Sequence, residues 1–341
     1  MWGGYASRYL VTFLVGFGVA LGFTELGRRL GPRLGMLDVP GGRRRHRGAV
    51  SRLGGLGLMM GLYAALLWAY TDPLPTVDPN EPRRLWGLVI GSAWLFVLGL
   101  LDDRFDLPPW AQYLGYLGAA LIASYALIIL EQFHHPLTDE LINLPLLLYL
   151  PLTLFWVTGM IVTVNWLDGL DGLAVGVAAI LSGVLFLHMV RMQQYSVAPQ
   201  AVALLGAAVG FLAFNFHPAK IHLGSSGAFP LGYLLAALGL IAGARVATVL
   251  LVMWMPIVDV AWTILDRIRH GVQPFKGDRR HLHFRLRDAG LSTRTIVALY
   301  WSISALFGAL ALLLSSRLYK LLALGVLGVL LLVVLFYLSR D

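Results

Sequence analysis

Along most of this chain apolar residues follow one another without alternation, in runs such as LLALGVLGVLLLVVLFYL near the C-terminal end. A hydrocarbon core about 30 Å thick is crossed by roughly 20 helical residues. Apolar segments fall at 6–27, 54–70, 86–101, 110–130, 144–163, 172–190, 199–215, 227–244, 246–265, 294–314 and 321–338. The pattern predicts an all-α polytopic membrane protein of about eleven transmembrane helices, with ten as the alternative count. The ninth segment contains Pro256, and a proline inside a span often marks a broken or kinked helix. A transmembrane β-barrel would alternate apolar and polar residues over segments of about ten, so that architecture is excluded. The short loops leave residues 1–341 as a single membrane domain with no room for an extramembrane one.

Composition removes one class of function. Of 341 residues 58% are hydrophobic and 13% charged, with mean hydropathy +0.75, whereas an ordinary soluble domain is about a quarter charged. A soluble globular enzyme is excluded. The first run lacks a small-residue cleavage site and reads as a retained helix rather than a signal peptide. Cysteine is absent, so neither disulfides nor thiolate metal sites exist. Most of the 26 Lys and Arg residues fall after odd-numbered spans, above all in RRRHR and DRRHLHFRLR. Cytoplasmic loops carry the Lys/Arg excess, which places the N-terminus outside, those loops inside and the C-terminus in the cytoplasm. The pI of about 9.9 follows from this rule, and no nucleic-acid partner is expected. His134 and His135, in an outside loop, are expected to be solvated.

Polar groups at a membrane boundary need a reason, and here they gather on the cytoplasmic face. Asp102, Asp103 and Asp106 close the third run in GLLDDRFDLPPW. Adjacent carboxylates repel unless a cation, a proton or basic partners offset them. A Mg²⁺ ion held by carboxylates and substrate phosphates is one such partner, and a solvated helix end is the plainer account. In NWLDGLDGLA, Asn165 precedes Asp168 and Asp171, which share one face of a helical turn, and Gly169 and Gly172 allow close approach. FNFHPAKIHLGSSGAFPLG breaks a helix at Asn215 and Pro218 and sets SSG ahead of an apolar run, where backbone N–H groups suit an anion; a serine-capped turn fits the same letters. Lys220 in that segment is either a ligand contact or a topological charge.

His281 and His283, flanked by Arg279, Arg280, Arg285 and Arg287, suit a polyanion, and a basic loop touching lipid headgroups is the alternative. The first basic loop carries Arg43, Arg44, His46 and Arg52 ahead of the close-packing step Gly54-Gly55. Asp259, inside the ninth span, is either a functional carboxylate or one end of an interhelical hydrogen bond. Together these groups fit phosphoryl chemistry on a charged soluble donor, with a lipid acceptor entering from the bilayer.

The segments LDVPGGRRRHRGAVSRLGGLG, LLDDRFDL, VNWLDGLDGLAVG, FNFHPAKIHLGSSGAFPLG and PIVDVAWTILDRIRHGVQPFKGDRRHLHFRL, in that order, extend over most of the chain. They resemble the polyprenyl-phosphate N-acetylhexosamine-1-phosphate transferases, the integral membrane family that includes the undecaprenyl-phosphate GlcNAc-1-phosphate transferases and the phospho-MurNAc-pentapeptide translocase. The eleven-span count looks like the GlcNAc-1-phosphate branch. The resemblance implies transfer of a HexNAc-1-phosphate, GlcNAc-1-phosphate first among them, from a UDP-sugar to undecaprenyl phosphate with release of UMP. It also implies Mg²⁺, or Mn²⁺ in its place, a bacterial inner membrane, and a homodimer. The step would open synthesis of a cell-envelope glycan such as lipopolysaccharide or teichoic acid.

By the same resemblance Asp102 and Asp103 match the acidic pair, with Asp103 as base on the lipid phosphate. Asn165, Asp168 and Asp171 match the nucleotide- and metal-proximal motif, so that Asp168 and Asp171, with Asp103, would hold the metal. His281 and His283 match the catalytic histidine motif on the donor phosphates, and Arg43, Arg44, His46 and Arg52 the first basic loop. Asn215, Lys220, Ser225, Arg279 and Arg280 would complete the substrate contacts. Two positions depart from the family. Ser225 stands where a metal-ligating Asp is ordinary, and a hydroxyl is the poorer Mg²⁺ ligand. The histidine motif reads HLHF, with two imidazoles where many relatives have three. An active transferase is the leading reading. A weak or inactive relative that binds UDP-sugar or lipid phosphate is the alternative, and a lipid or solute transporter is disfavoured by the carboxylate-rich turns and the lack of an internal repeat.

Overall fold

The computed structural model describes residues 2–38, 49–76, 78–135, 138, 140–243, 246–271, 281–314 and 317–338. Each predicted apolar run overlaps helix, the fourth running past its helix end at Tyr125. The chain enters through α1 (Trp2–Arg33) and a short antiparallel hairpin, β1 (Leu37–Asp38) with β2 (Val50–Ser51). It continues through α2 (Gly54–Ala69), α3 (Glu81–Phe105) and α4 (Pro109–Tyr125). A second antiparallel hairpin, β3 (Gln132–His134) with β4 (Leu141–Asn143), lies at the end of α4 away from the acidic residues. There His135 is partly exposed, its backbone N–H donating to the Glu140 carbonyl at 2.8 Å and its Nδ1 3.1 Å from the Thr138 hydroxyl.

Then follow α5 (Leu146–Leu167), α6 (Leu173–Arg191), α7 (Ala198–Asn215) and α8 (Ser225–Ile241). The last group is α9 (Val246–Val252), α10 (Trp254–Arg269), α11 (Leu282–Asp288), α12 (Thr293–Leu313) and α13 (Arg317–Leu338). Among the described residues six helices are long and apolar enough to cross a membrane. The number rises to seven if α9 and α10, bent by 80° at Met253, form one broken span. The break falls where Pro256 has no N–H to give Val252 and its ring would collide with that carbonyl in a continuous helix.

The centre of the bundle is α8, in which every residue is buried. It packs on α3 and α5 and is apolar all round, as a helix with no lipid or water face should be. Between helices in lipid the attraction is close packing, which small residues allow. A Cβ on Gly99 of α3 would lie 2.4 Å from the Ser225 carbonyl oxygen, and one on Gly55 of α2 would lie 2.3 Å from the Ser226 carbonyl carbon. Two helices therefore grip the N-terminus of α8 from different sides, at the point where the polar residues meet.

Candidate active site

The acidic end of α3 meets the first turn of α8. The Asp103 carboxylate accepts the backbone N–H groups of Ser225 and Ser226, one on each oxygen, both at 2.9 Å. A carboxylate is the favoured occupant of a helix N-terminus, where unsatisfied N–H groups and the helix dipole concentrate positive charge. Gly224, at φ 71, lets the chain turn there, and a Cβ in its place would stand 2.6 Å from Asp103 Oδ2. Asp102 is equally committed: its Oδ1 accepts from Leu107 N and Gln112 Nε2, and its Oδ2 accepts from the Ser225 hydroxyl at 2.5 Å. Arg52 Nε lies 3.5 Å from Asp103 and its Nη1 3.6 Å from Asp106. The acidic pair is thus hydrogen-bonded by donors of the protein itself, with the Arg52 guanidinium beside Asp103.

Of the two readings the sequence leaves open for the N–H groups ahead of α8, an anion site and a serine-capped turn, the structure shows the first, occupied by the protein's own Asp103; Ser225 gives both its N–H and its hydroxyl to the acidic pair. The Asp103 side chain has no exposed surface, because α3, α2 and α8 close around it. Asn215 has likewise been drawn inward. It accepts the Gly172 N–H and donates to the Ile221 carbonyl, tying the DGLDG turn to the loop before α8. Lys220 is exposed, its Nζ 5.9 Å from the Phe214 ring.

That turn carries the second carboxylate group. Asp171 Oδ2 lies 2.7 Å from His217 Nδ1 and accepts Ala219 N, and its Oδ1 lies 3.7 Å from His222 Nε2. The other side of the same imidazole, Nδ1, lies 3.2 Å from Asp38 Oδ2. Burial disfavours the imidazolium of His222, but the hydrogen bond to Asp38 and the charges of Asp171 and Asp168 outweigh it and raise its pKa. Asp168, at the end of α5, is half-buried. Burial, with the nearby charges of Asp103 and Asp171, pushes its carboxyl up to about 7 against the opposing pull of His222 and Arg52. Asp168 is where the two acidic clusters come within electrostatic reach of each other. Asn165 stands half-buried one turn earlier on α5.

The histidines close the site from α11. His281 caps that helix, its Nδ1 3.1 Å from Asp259 Oδ2, while Asp259 Oδ1 accepts Leu282 N at 2.7 Å. Asp259 is therefore the intramembrane end of a hydrogen-bonded clamp, which leaves Nε2 of His281 for other partners. His283 lies parallel to His281 at 5.6 Å and is wholly buried, with neither ring nitrogen bonded. A Cβ on Gly169 would reach within 2.3 Å of its Nε2, so the second glycine-rich turn packs directly on this ring. Burial and the neighbouring His281 depress its pKa to about 3. Trp166 adds a platform, with the His281 ring at 5.2 Å and the guanidinium of the fully buried Arg267 at 4.9 Å. The sequence does not single out His217, His222, Asp38 or Arg267; the first two stand in the interrupted segment between α7 and α8, where His217 meets Asp171 and His222 lies between Asp171 and Asp38. Arg43, Arg44, His46, Arg279 and Arg280 lie outside the described residues.

Among the described residues no three of His, Asp and Glu converge as a cage for a metal ion. A Mg²⁺ site needs less, since one or two protein carboxylates are usually completed by substrate phosphates and water. Asp168 meets that requirement. Burial raises its pKa against the pull of His222 and Arg52, so a bound cation would favour its ionised form, and no described donor is hydrogen-bonded to it. Asp171 is already engaged by His217 and Ala219, and Ser225 by Asp102.

Fold and site define a polytopic helical membrane protein with carboxylates, imidazoles and guanidiniums assembled at one end of its bundle. Residues 85–243 match the model of glycosyl transferase family 4. The chain is 29% identical over 91% of its length, and 86% of the relative's, to a Bacillus subtilis protein described as a probable undecaprenyl-phosphate N-acetylglucosaminyl 1-phosphate transferase. It is 31% identical over 83% of its length to the decaprenyl-phosphate N-acetylglucosaminephosphotransferase of Mycobacterium tuberculosis, covering 77% of that protein. A phospho-N-acetylmuramoyl-pentapeptide-transferase of Geobacillus kaustophilus is 30% identical over 76% of the chain and 82% of its own length. The chain belongs to glycosyl transferase family 4.

Proposed function

We propose that the protein transfers GlcNAc-1-phosphate from UDP-GlcNAc to undecaprenyl phosphate, releasing UMP, at the cytoplasmic face of a bacterial inner membrane. The chain is a membrane phosphotransferase of its family, and its Bacillus subtilis relative is named for this donor group and this lipid. The observation that carries the reading is the meeting of carboxylates with basic groups at one end of the bundle, Asp103 with Arg52 at 3.5 Å, Asp171 with His222 at 3.7 Å and Asp259 with His281 at 3.1 Å. Eleven crossings, with the N-terminus outside, keep all these groups on one side, as the Lys/Arg distribution requires.

The lipid phosphate oxygen forms the new bond to the sugar-bearing phosphorus, and the bond from that phosphorus to the bridging oxygen breaks, with UMP taking the electron pair. The transition state is loose, so catalysis rests on in-line positioning and charge neutralisation. A phosphate monoester above about pH 6 is already dianionic, so the attacking oxygen needs no proton removed. A sealed Asp103 fits that requirement: it holds Arg52 and the start of α8 in place. Arg52 offers a guanidinium to the lipid phosphate, and His281, oriented by Asp259, offers Nε2 to the donor. Asp168 would hold a divalent cation, which supplies further neutralisation of the donor phosphates when bound.

A second reading, a relative that binds a UDP-sugar without turning it over, is favoured by the commitment of Ser225 to Asp102. Transfer of label from a panel of radiolabelled UDP-sugars into organic-extractable lipid separates the two. UDP-GlcNAc should label the lipid best; nucleotide binding without labelled lipid would establish the second reading.

A further inference from the structure

His222 is the residue at which three separate segments meet. Its backbone N–H donates to the Ser51 carbonyl at 2.9 Å and its carbonyl accepts Gly54 N at 3.1 Å, which fixes it to the junction of β2 and α2. Its side chain then reaches in two directions, to Asp38 on β1 at 3.2 Å and to Asp171 of the acidic turn at 3.7 Å. The imidazole is 22% exposed on its side-chain surface, so it borders the site instead of lying in the core. The hairpin that it joins is the base of the basic loop. The residue just after that hairpin, Arg52, holds the other acidic cluster through Asp103 and Asp106. The hairpin base is thus tied to both carboxylate groups, by Arg52 to one and through His222 to the other.

We propose that His222 is a positioning residue which, braced by Asp38, sets the Asp168–Asp171 turn against the hairpin and so shapes the donor half of the site. This rests on the transferase reading above. Its consequence is selective. Loss of the brace leaves Asp103 and Arg52 in place, so the donor side suffers and the lipid side does not. Misplacement by a fraction of an ångström at a phosphoryl-transfer site costs on the order of tenfold or more.

The test uses the full chain in detergent, with UDP-GlcNAc and undecaprenyl phosphate varied separately. His222→Phe keeps a ring and removes both polar contacts; it should raise the donor KM about tenfold and leave the lipid KM within about twofold. A glutamine amide nitrogen falls near Nε2 and an asparagine one near Nδ1, so His222→Gln should recover more donor affinity than His222→Asn. Asp38→Asn should resemble His222→Phe, and the double variant should be no worse than either, as expected of residues acting in one chain. Equal losses for donor and lipid, additive effects of Asp38→Asn and His222→Phe, or better rescue by Asn than by Gln would each overturn the proposal. If His222→Phe does not fold, the Gln and Asn comparison decides alone. If the unaltered protein shows no turnover, the transferase reading fails separately. Calorimetric binding of UDP-GlcNAc then decides the role of His222: weaker binding by His222→Phe supports it, and unchanged binding or no binding by either protein overturns it.

Discussion

Acid should loosen this fold through His283. In the folded protein the ring is sealed beneath Gly169 and Phe284 with no hydrogen-bond partner, and its pKa lies at about 3. In the unfolded chain a histidine titrates near 6.5. Because the folded value is the lower one, the contribution of His283 to stability is complete above pH 6.5. It is lost as the pH falls, since only the unfolded chain takes up the proton. The slope approaches roughly 1.4 kcal/mol per pH unit, so moving from pH 6.5 to 5 should remove about 2 kcal/mol. The assay is equilibrium or thermal unfolding in detergent micelles at both pH values, comparing the unaltered protein with His283→Leu. The variant cancels the pH dependence of every other group, and it deletes two unpartnered buried nitrogens without orphaning a partner, so it should fold. The stability of the variant relative to the unaltered protein should rise by about 2 kcal/mol between pH 6.5 and pH 5. A difference that is the same at both pH values, or a His283 ring resonance titrating near 6.5, would refute the reasoning.

Other substitutions read other parts of the site. Ser225→Asp would set a third carboxylate beside Asp102, at the place where a hydroxyl now donates at 2.5 Å; its melting temperature should fall without Mg²⁺ and recover with it, and no response to Mg²⁺ would contradict the charge reading. Asn215→Ala removes two buried hydrogen bonds and should lower stability by about 2 kcal/mol, measured by unfolding, while sparing donor binding in the folded fraction. His281→Ala should raise the donor KM more than the lipid KM, and steady-state kinetics showing equal changes would remove His281 from the donor phosphates.

The helices were legible because each apolar run is its own signal, down to the break that Pro256 forces between α9 and α10. The acidic and histidine motifs were legible as chemistry but not as geometry. Nothing in GLLDDRFD or LGSSGA tells that the serine N–H groups of one segment will be filled by the second aspartate of the other, since that pairing spans about 120 positions and depends on Gly99 and Gly55 letting three helices meet. The sequence leaves Asp259 between two roles, and the structure shows it hydrogen-bonded to His281 and Leu282. His222 went unnoticed because a lone histidine in a loop carries no periodicity, and its meaning comes only from carboxylates on two other segments.

The central claim is tested most directly by UMP release from the purified protein given undecaprenyl phosphate, UDP-GlcNAc and Mg²⁺, with Asp168→Asn as the blank. Asp168 is the better blank than Asp103, whose carboxylate holds the start of α8 and would carry structural damage into the assay. Asp168 is half-buried and not hydrogen-bonded to any described donor, so its amide should fold. The account predicts UMP release well above that blank and dependent on the lipid. Release that is equal in both proteins, or absent from the unaltered one with every UDP-sugar supplied, would contradict it.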